Sequence, residues 1–474
     1  MTDFTENNYN FWESHAALKP YFDKGVLDAG IFDAVNNDEI RLRKSGKVLK
    51  QGSCKNPVCI VANYLFDTLY HDIFQIDGGV LKEGLVSVGS KNHQEPDPLE
   101  PDIIQRLDNR YKYQNIDPSY YNDEEGDEPH LRRILKWYRD YFKNNANGAS
   151  LLIPIGAFRA LRRLSKFSNG RLLVISGDKG NNNPEHFVGL MDPHIAVHGS
   201  FSLMVNYHAI GSWFTSKGGF ALHNPQEEAS LKVSCFLLDN DSQASKRTDE
   251  EFYGEGLTQK DTERSRAYPY LHSAFMDFID TFGPNDFFVL QKSIKEDLQN
   301  PPLRTVIALL KLGDWDPDVF FKFRDVILNN APNCGQKLRN DLCRGIPRVW
   351  SNYYQMDTDK DIAFEIGRFY YGIRDYSLAL HYYSLSSSTI GEHHVTFHNQ
   401  GLCLYSQGKL DLALTLFHKA LAMNSDYEKA RNWIEKVNKE LALKGKDSND
   451  DSNGISNVNG DSNEVNHEKT QEIN

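Results

Sequence analysis

The stretch NPVCIVANYLFDTLYHDIF, residues 56–74, decides how the first two-thirds of the chain is read. Residues 58–62 form an unbroken apolar run that passes from Asn56-Pro57 straight into Asn63-Tyr64, with Asp67 three residues further on. A strand with one wet face alternates apolar and polar residues. An unbroken run instead predicts a strand covered on both faces, as in a parallel sheet between layers of helix. In such sheets ligands sit in the crevice beyond the carboxyl ends of the strands. That places Asn63 and Asp67 at a rim, and capping of the next helix accounts for them equally well.

Working outward, 6–18 has a helical pattern that stops before Pro20, and 156–167 has another just ahead of a second apolar run, Arg171-Leu-Leu-Val-Ile-Ser176. Residues 26–32 and 232–238 read as further strands. Helices alternating with apolar strands predict βαβ units, so 1–300 reads as an α/β domain with a doubly wound, mostly parallel sheet. Two polar stretches, 91–130 and 239–266, read as inserted loops. Helical segments over 301–350 form a connector. Residues 443–474 are so poor in apolar side chains that a disordered tail is expected, since burial there cannot offset the entropy of ordering.

The balance of 53 Lys and Arg against 65 Asp and Glu leaves a net charge of −12. This argues against a dedicated nucleic-acid binder, whose affinity rests on clustered cations. The six cysteines are scattered without metal spacing, which points to a reducing compartment. The first residues are polar and acidic rather than leader-like, and no apolar run approaches the ~20 residues of a membrane helix. A cytoplasmic protein is the expectation. His194 and His198 stand one helical turn apart, a spacing that can hold a metal, but Pro193 and Gly199 interrupt the helix it needs and no metal site is expected.

Near the end the chain repeats itself. Gly367 and Gly401 are 34 residues apart, as are Ala379 and Ala413, and large residues recur at Tyr370 and Leu404 and at Tyr383 and Phe417. Small residues let two antiparallel helices approach, and large ones fill the neighbouring grooves. The pattern over 361–442 resembles two tetratricopeptide repeats followed by a capping helix. The resemblance implies a helical solenoid that binds a protein or peptide partner.

The front of the chain resembles a second family. Val61-Ala-Asn-Tyr-Leu-Phe-Asp-Thr68, Gly170-Arg-Leu-Leu-Val-Ile-Ser-Gly-Asp178 and Ser200-Phe-Ser-Leu-Met-Val-Asn-Tyr-His208 follow one another as three motifs do in MidA-like S-adenosylmethionine-dependent methyltransferases. The likeness spans roughly 1–240. Tyr64 stands where the family carries an acid, and no glycine-rich strand-to-helix turn precedes Asp33. The resemblance implies a Rossmann-like sheet and S-adenosylmethionine as cofactor. It implies that Asp3 meets the ribose, Asp33 the adenine, Asn63 and Tyr64 the methyl donor, and that Asp67 supports them. Asp3 and Asp67 as helix caps and Asp33 as a turn acid are the competing readings. Without the glycine-rich strand the sheet is incomplete. The sequence then begins at an internal methionine of a longer protein, or the second and fourth strands pair directly, or the resemblance is false. The function expected for the whole is a partner-binding repeat protein carrying a methyltransferase-like domain. The alternative is an active protein methyltransferase.

Overall fold

In the computed structural model the chain divides into two units, Met1–Phe287 and Phe288–Asn474. The structure describes residues 1–95, 97, 99–122, 124, 126–190, 192–193, 195–197, 201–224, 231–239, 269–279, 284–297, 300–355 and 360–450. The strands are β1 (Thr2–Asp3), β2 (Gly30–Ile31), β3 (Ile40–Arg41), β4 (Val48–Leu49), β5 (Val58–Asn63), β6 (Asp72–Asp77), β7 (Val80–Ser90), β8 (Leu107–Asn115), β9 (Ala149–Ile153), β10 (Leu172–Asn181), β11 (Ile195–Val197), β12 (Phe201–Leu203), β13 (Val205–Asn206), β14 (Phe220–His223) and β15 (Leu231–Leu238). The helices of the first unit are α1 (Glu6–Ser14), α2 (Lys19–Asp23), α3 (Glu128–Phe142), α4 (Ile155–Phe167), α5 (Tyr207–Ser216) and α6 (Pro269–Ile279), and α7 (Pro284–Asp297) crosses the division.

The main sheet is mixed rather than mostly parallel. β10 pairs parallel with β5 and β13 and antiparallel with β15, which in turn pairs antiparallel with β14. A second sheet, ordered β8-β7-β6-β9, is antiparallel throughout. β1, which holds Asp3, pairs parallel with β2 in a ladder of its own, and β5, which ends at Asn63, pairs with β10, so the two strands do not pair directly with each other. The segment 91–130 is not one loop, because β8 and the start of α3 lie in it. The expected strand at 26–32 shrinks to Gly30–Ile31, and the expected insertion at 239–266 falls, apart from Asp239, outside the described residues.

The core lies between the main sheet and α3, α4 and α5. On β10 every second side chain, from Leu172 through Val174 to Ser176 and Asp178, is buried. α3 contributes Leu131, Ile134, Leu135, Tyr138 and Phe142, α4 contributes Phe158 and Leu161, and α5 contributes Ile210, Trp213 and Phe214. The run that predicted a doubly covered strand is covered once: Val58, Ile60 and Ala62 pack inward, whereas Cys59 and Val61 are exposed. Period-two reading fails here because Cys59 and Val61 are as apolar as their buried neighbours although they point outward.

A charged cluster fastens the three helices to one another. Asp127, at the start of α3, is almost wholly buried and pairs with Arg162 of α4 at 3.5 Å and with Lys217 at the end of α5. Beside it Glu124 accepts two hydrogen bonds from Arg159, at 2.6 and 3.1 Å. Buried ions cost several kcal/mol each unless paired, so removing one partner strands the others.

The second unit is helical: α8 (Leu303–Leu312), α9 (Pro317–Asn330), α10 (Gln336–Asn352), α11 (Ile362–Gly372), α12 (Tyr376–Thr389), α13 (His394–Ser406), α14 (Leu410–Met423) and α15 (Glu428–Asp450). Asp316, Asp361 and Asp375 cap the first turns of α9, α11 and α12 through bonds of 2.9, 2.8 and 3.1 Å. In both central hairpins a glycine of the first helix lies against an aromatic ring of the second. A Cβ on Gly367 would fall 2.6 Å from Tyr383, and one on Gly401 would fall 2.6 Å from Phe417. Ala379 and Ala413 are fully buried at the matching positions. α9 and α11 are joined through Glu365, which lies 3.6 Å from Arg324 and 3.1 Å from Arg368. The last helix runs to Asp450, so the expected tail does not start at 443, and residues 451–474 lie outside the described residues.

Two outcomes follow from this packing. Asp127→Ala is expected to lower unfolding free energy by about 3–5 kcal/mol, measured by urea denaturation, with Lys217→Met in the same chain recovering part of the loss. Gly401→Ala is expected to cost about 1–3 kcal/mol through overpacking against Phe417, and Phe417→Leu beside it to relieve part of that cost.

Candidate functional site

The carboxyl ends of β5 and β10 hold the polar residues of interest. Along the buried face, rows of side chains change from apolar to polar toward that end. Leu172 faces Leu238, Val174 faces Phe236, Ser176 faces Ser234 and Asp178 faces Lys232. The Asp178 carboxylate accepts hydrogen bonds from the backbone N–H of Asp67 at 3.2 Å and of Lys179 at 2.9 Å. Asp67 sits in a single 3-10 turn, Phe66–Thr68, directly after β5, and its side chain is buried beside that of Asp178. Burial, and next the neighbouring Asp67 carboxylate, push Asp178 up to about 7. The two carboxyls therefore hold a proton near neutral pH.

Further polar groups continue under the sheet. The Tyr207 and Ser176 hydroxyls are 2.8 Å apart, and His223 Nδ1 lies 2.8 Å from Ser234 Oγ. The Tyr138 hydroxyl donates to Asn206 Oδ1 at 3.2 Å and lies 2.7 Å from His208 Nδ1. Asn206 also caps α5, accepting from the Ala209 N–H at 2.9 Å. Burial, and then the nearby His223, press His208 down to about 3, and burial alone presses His223 to about 4. Both imidazoles are neutral at pH 7.

The residues singled out in the sequence fall into two groups. Asp3 ends β1 and Asp33 follows β2, and their oxygens serve the local chain. Asp3 accepts from the Thr5 N–H and hydroxyl, both at 2.8 Å, and from Asn8 at 2.9 Å at the start of α1. Asp33 accepts from the Val35 and Asn36 N–H groups at 2.9 and 3.0 Å and from the Asn36 side chain at 2.8 Å, and that last bond leads in holding its carboxyl below the usual range. Asn63, Tyr64 and Asp67 stand together on the other sheet. Asn63 pairs in register with Gly177, and Tyr64 takes a left-handed φ of 51° while its N–H donates to the Gly177 carbonyl at 3.1 Å. A left-handed tyrosine is uncommon. It turns the chain sharply enough to bring Asp67 under the end of β10.

Sequence reasoning missed Tyr138, Ser176, Tyr207 and Ser234. The available signal was the period-two row in 172–178, where polar Ser176 and Asp178 continue an apolar face. His194 and His198 lie outside the described residues, and among those described no group of three His, Cys, Asp or Glu residues has the geometry to hold a metal. Among them, too, no helix is long and apolar enough to cross a membrane. Comparison with known proteins finds no matching family, no matching curated protein and no matching solved structure.

The buried titratable groups set a pH dependence. His71 and His130 are also pressed down by burial, to about 4 and about 3. With His208, His223 and, in the second unit, His398 at about 4 they make five histidines pressed to about 4 or below, and His394 is lowered too. Their stabilising contribution is present above pH 6.5 and is lost as pH falls toward 4. Asp178 has the opposite sign: its contribution is present below 3.8 and is lost as pH rises through about 7. The lowered histidines outnumber the raised carboxyls Asp72, Asp178 and Glu365, so stability is expected to fall on acidification from pH 6.5 to 4.5, each histidine contributing on the order of 1 kcal/mol per pH unit while it is engaged. Urea midpoints across that range measure it. Asp178→Asn is expected to raise stability at pH 8 by on the order of 2 kcal/mol.

Proposed function

We propose that the chain is a partner-binding protein of the tetratricopeptide class, with its second unit holding a polypeptide against stacked helical hairpins. The observation that carries this reading is the recurrence, 34 residues apart, of one glycine-on-ring fit, Gly367 on Tyr383 and Gly401 on Phe417. Stacks of such hairpins leave an extended surface for a ligand. Tyr371, Tyr405 and Trp433 lie partly buried around the cluster that contains Phe417. Lys436 stands over Tyr405 and Trp433 at 5.3 and 4.3 Å from the ring centres. Aromatic rings with a cation among them suit a polypeptide that carries carboxylates. Partners retained by the full chain and identified by quantitative mass spectrometry are expected to be lost at least tenfold from Lys436→Glu, with helix content unchanged by circular dichroism. Equal retention by that variant removes this surface from the function.

A second reading assigns the first unit to S-adenosylmethionine chemistry. Its support is the meeting of Asn63, Tyr64, Asp67 and Asp178 at the carboxyl ends of two parallel strands. Under this reading Asn63 and Tyr64 flank the methyl donor, and the Asp67–Asp178 pair takes up the proton released by the methyl acceptor. Asp3 and Asp33 reach the nucleoside only if they give up the local bonds they now make. Calorimetric titration of the whole chain with S-adenosylmethionine decides it: heat that disappears in Asn63→Ala supports the reading, and no heat ends it.

A further inference from the structure

The outer edge of β5 is left without a strand partner among the described residues. In a parallel ladder one residue directs both its N–H and its C=O to one neighbour, and the next directs both the other way. The Val58 N–H donates to the Arg171 carbonyl at 3.1 Å and the Tyr64 N–H to the Gly177 carbonyl at 3.1 Å. Residues 58, 60, 62 and 64 are therefore the ones that serve β10. Cys59, Val61 and Asn63 turn their backbone groups away from it, and among the described residues no strand pairs with that side. All three residues are exposed, and Val61 keeps 75% of its surface in water. Its row neighbour on β10, Ile175, is 41% exposed.

Folded proteins blunt such edges with proline, with lysine, with a bulge or with a covering element. The six residues of β5, Val-Cys-Ile-Val-Ala-Asn, contain no proline and no charge, and they pair with β10 residue for residue without a bulge. The side chains on either side of this edge say what fits it. Val58 and Ile60 belong to an apolar cluster with Phe32, Ile40, Leu164 and Phe167 on the inner face, and Val61 and Ile175 flank it on the outer face. A strand added here meets apolar surface through its odd and its even residues alike. The edge thus selects extended backbone with an uninterrupted apolar run. A second copy of this chain is the weaker candidate, since two molecules of net charge −12 repel.

We propose that the outer edge of β5 is a strand-acceptor site, which takes an extended apolar segment of about six residues from a partner polypeptide by strand addition. The partner contributes main-chain bonds to Cys59, Val61 and Asn63 and apolar side chains to both faces. This site is separate from the helical surface described above and stands or falls independently of it.

The test uses the full chain and a soluble probe, the peptide Lys-Lys-Val-Ile-Val-Val-Ile-Val-Lys-Lys. A control of identical charge carries proline in place of its third valine. Residue-resolved hydrogen exchange of the Cys59, Val61 and Asn63 amides is expected to slow at least tenfold with the probe and to stay unchanged with the control. The variant Val61→Pro removes one outward N–H and leaves the bonds to β10 in place. By fluorescence anisotropy it is expected to bind the probe at least tenfold more weakly, with an unchanged melting temperature. Four results overturn the proposal. One is equal binding of probe and control, and another is no slowing at the three amides. The third is slow exchange at those amides in the dilute chain alone, which assigns the edge to another segment of this chain. The last is slowing that grows with protein concentration together with a dimer in sedimentation, which assigns it to a second copy.

Discussion

The first unit is organised around the hydrogen-bonded ladder of β10. Ten residues long, that strand is bonded to β5 and β13 on one side and to β15 on the other. Every buried side chain it carries has a register partner of like polarity on β15. The low-dielectric end, Leu172 to Val174, supports α3, α4 and α5, and the polar end, Ser176 to Asp178, collects the groups that do not belong in hydrocarbon. One strand therefore sets both where the core ends and where a crevice begins. The gradient also explains the Asp178 carboxyl: it lies two rows beyond the apolar part of the sheet, close enough to be desolvated and close enough to Asp67 to resist a second charge.

The second unit obeys a different rule. Its contacts run mainly between successive helices, with α8 also meeting α10 and α9 meeting α11, and its specificity lies in the fit between small and large residues at hairpin crossings. Gly345 of α10 also lies against a ring, that of Trp315 in the turn between α8 and α9. The buried Glu365 between Arg324 and Arg368 supplies what the apolar contacts lack, a directional tie between α9 and α11.

Much of this was legible before any coordinates. The hairpin helices within 361–442 follow from the 34-residue repeat, the helix at 156–167 from its spacing, and the strands at 58–62, 171–176 and 232–238 from their apolar runs, although the second of these strands continues to Asn181. The antiparallel sheet of β6 to β9 was not legible. Its longest strand, Val80–Ser90, has exposed valines and leucine on an overhanging ribbon, so it lacks the contrast between faces on which pattern reading depends. At the candidate site Asn63, Tyr64 and Asp67 could be read because they follow an apolar run closely. Asp178 was visible only as the end of a motif. The Tyr138–Asn206–His208 contacts join residues about 70 positions apart, and no local signal reports such a meeting.

The register between β5 and β10 bears on how the polypeptide acquires its structure. Val58 meets Leu172 across a loop of more than a hundred residues, whereas every hairpin in 362–423 closes over a few. Long-range pairing is slow because loop entropy is lost before contacts compensate for it, and helical neighbours form quickly. The helical array is therefore expected to reach its native form while the sheet ahead of it is still assembling, although the ribosome makes the sheet's residues first. During that interval the unpaired strands are the part of the molecule most in need of a chaperone.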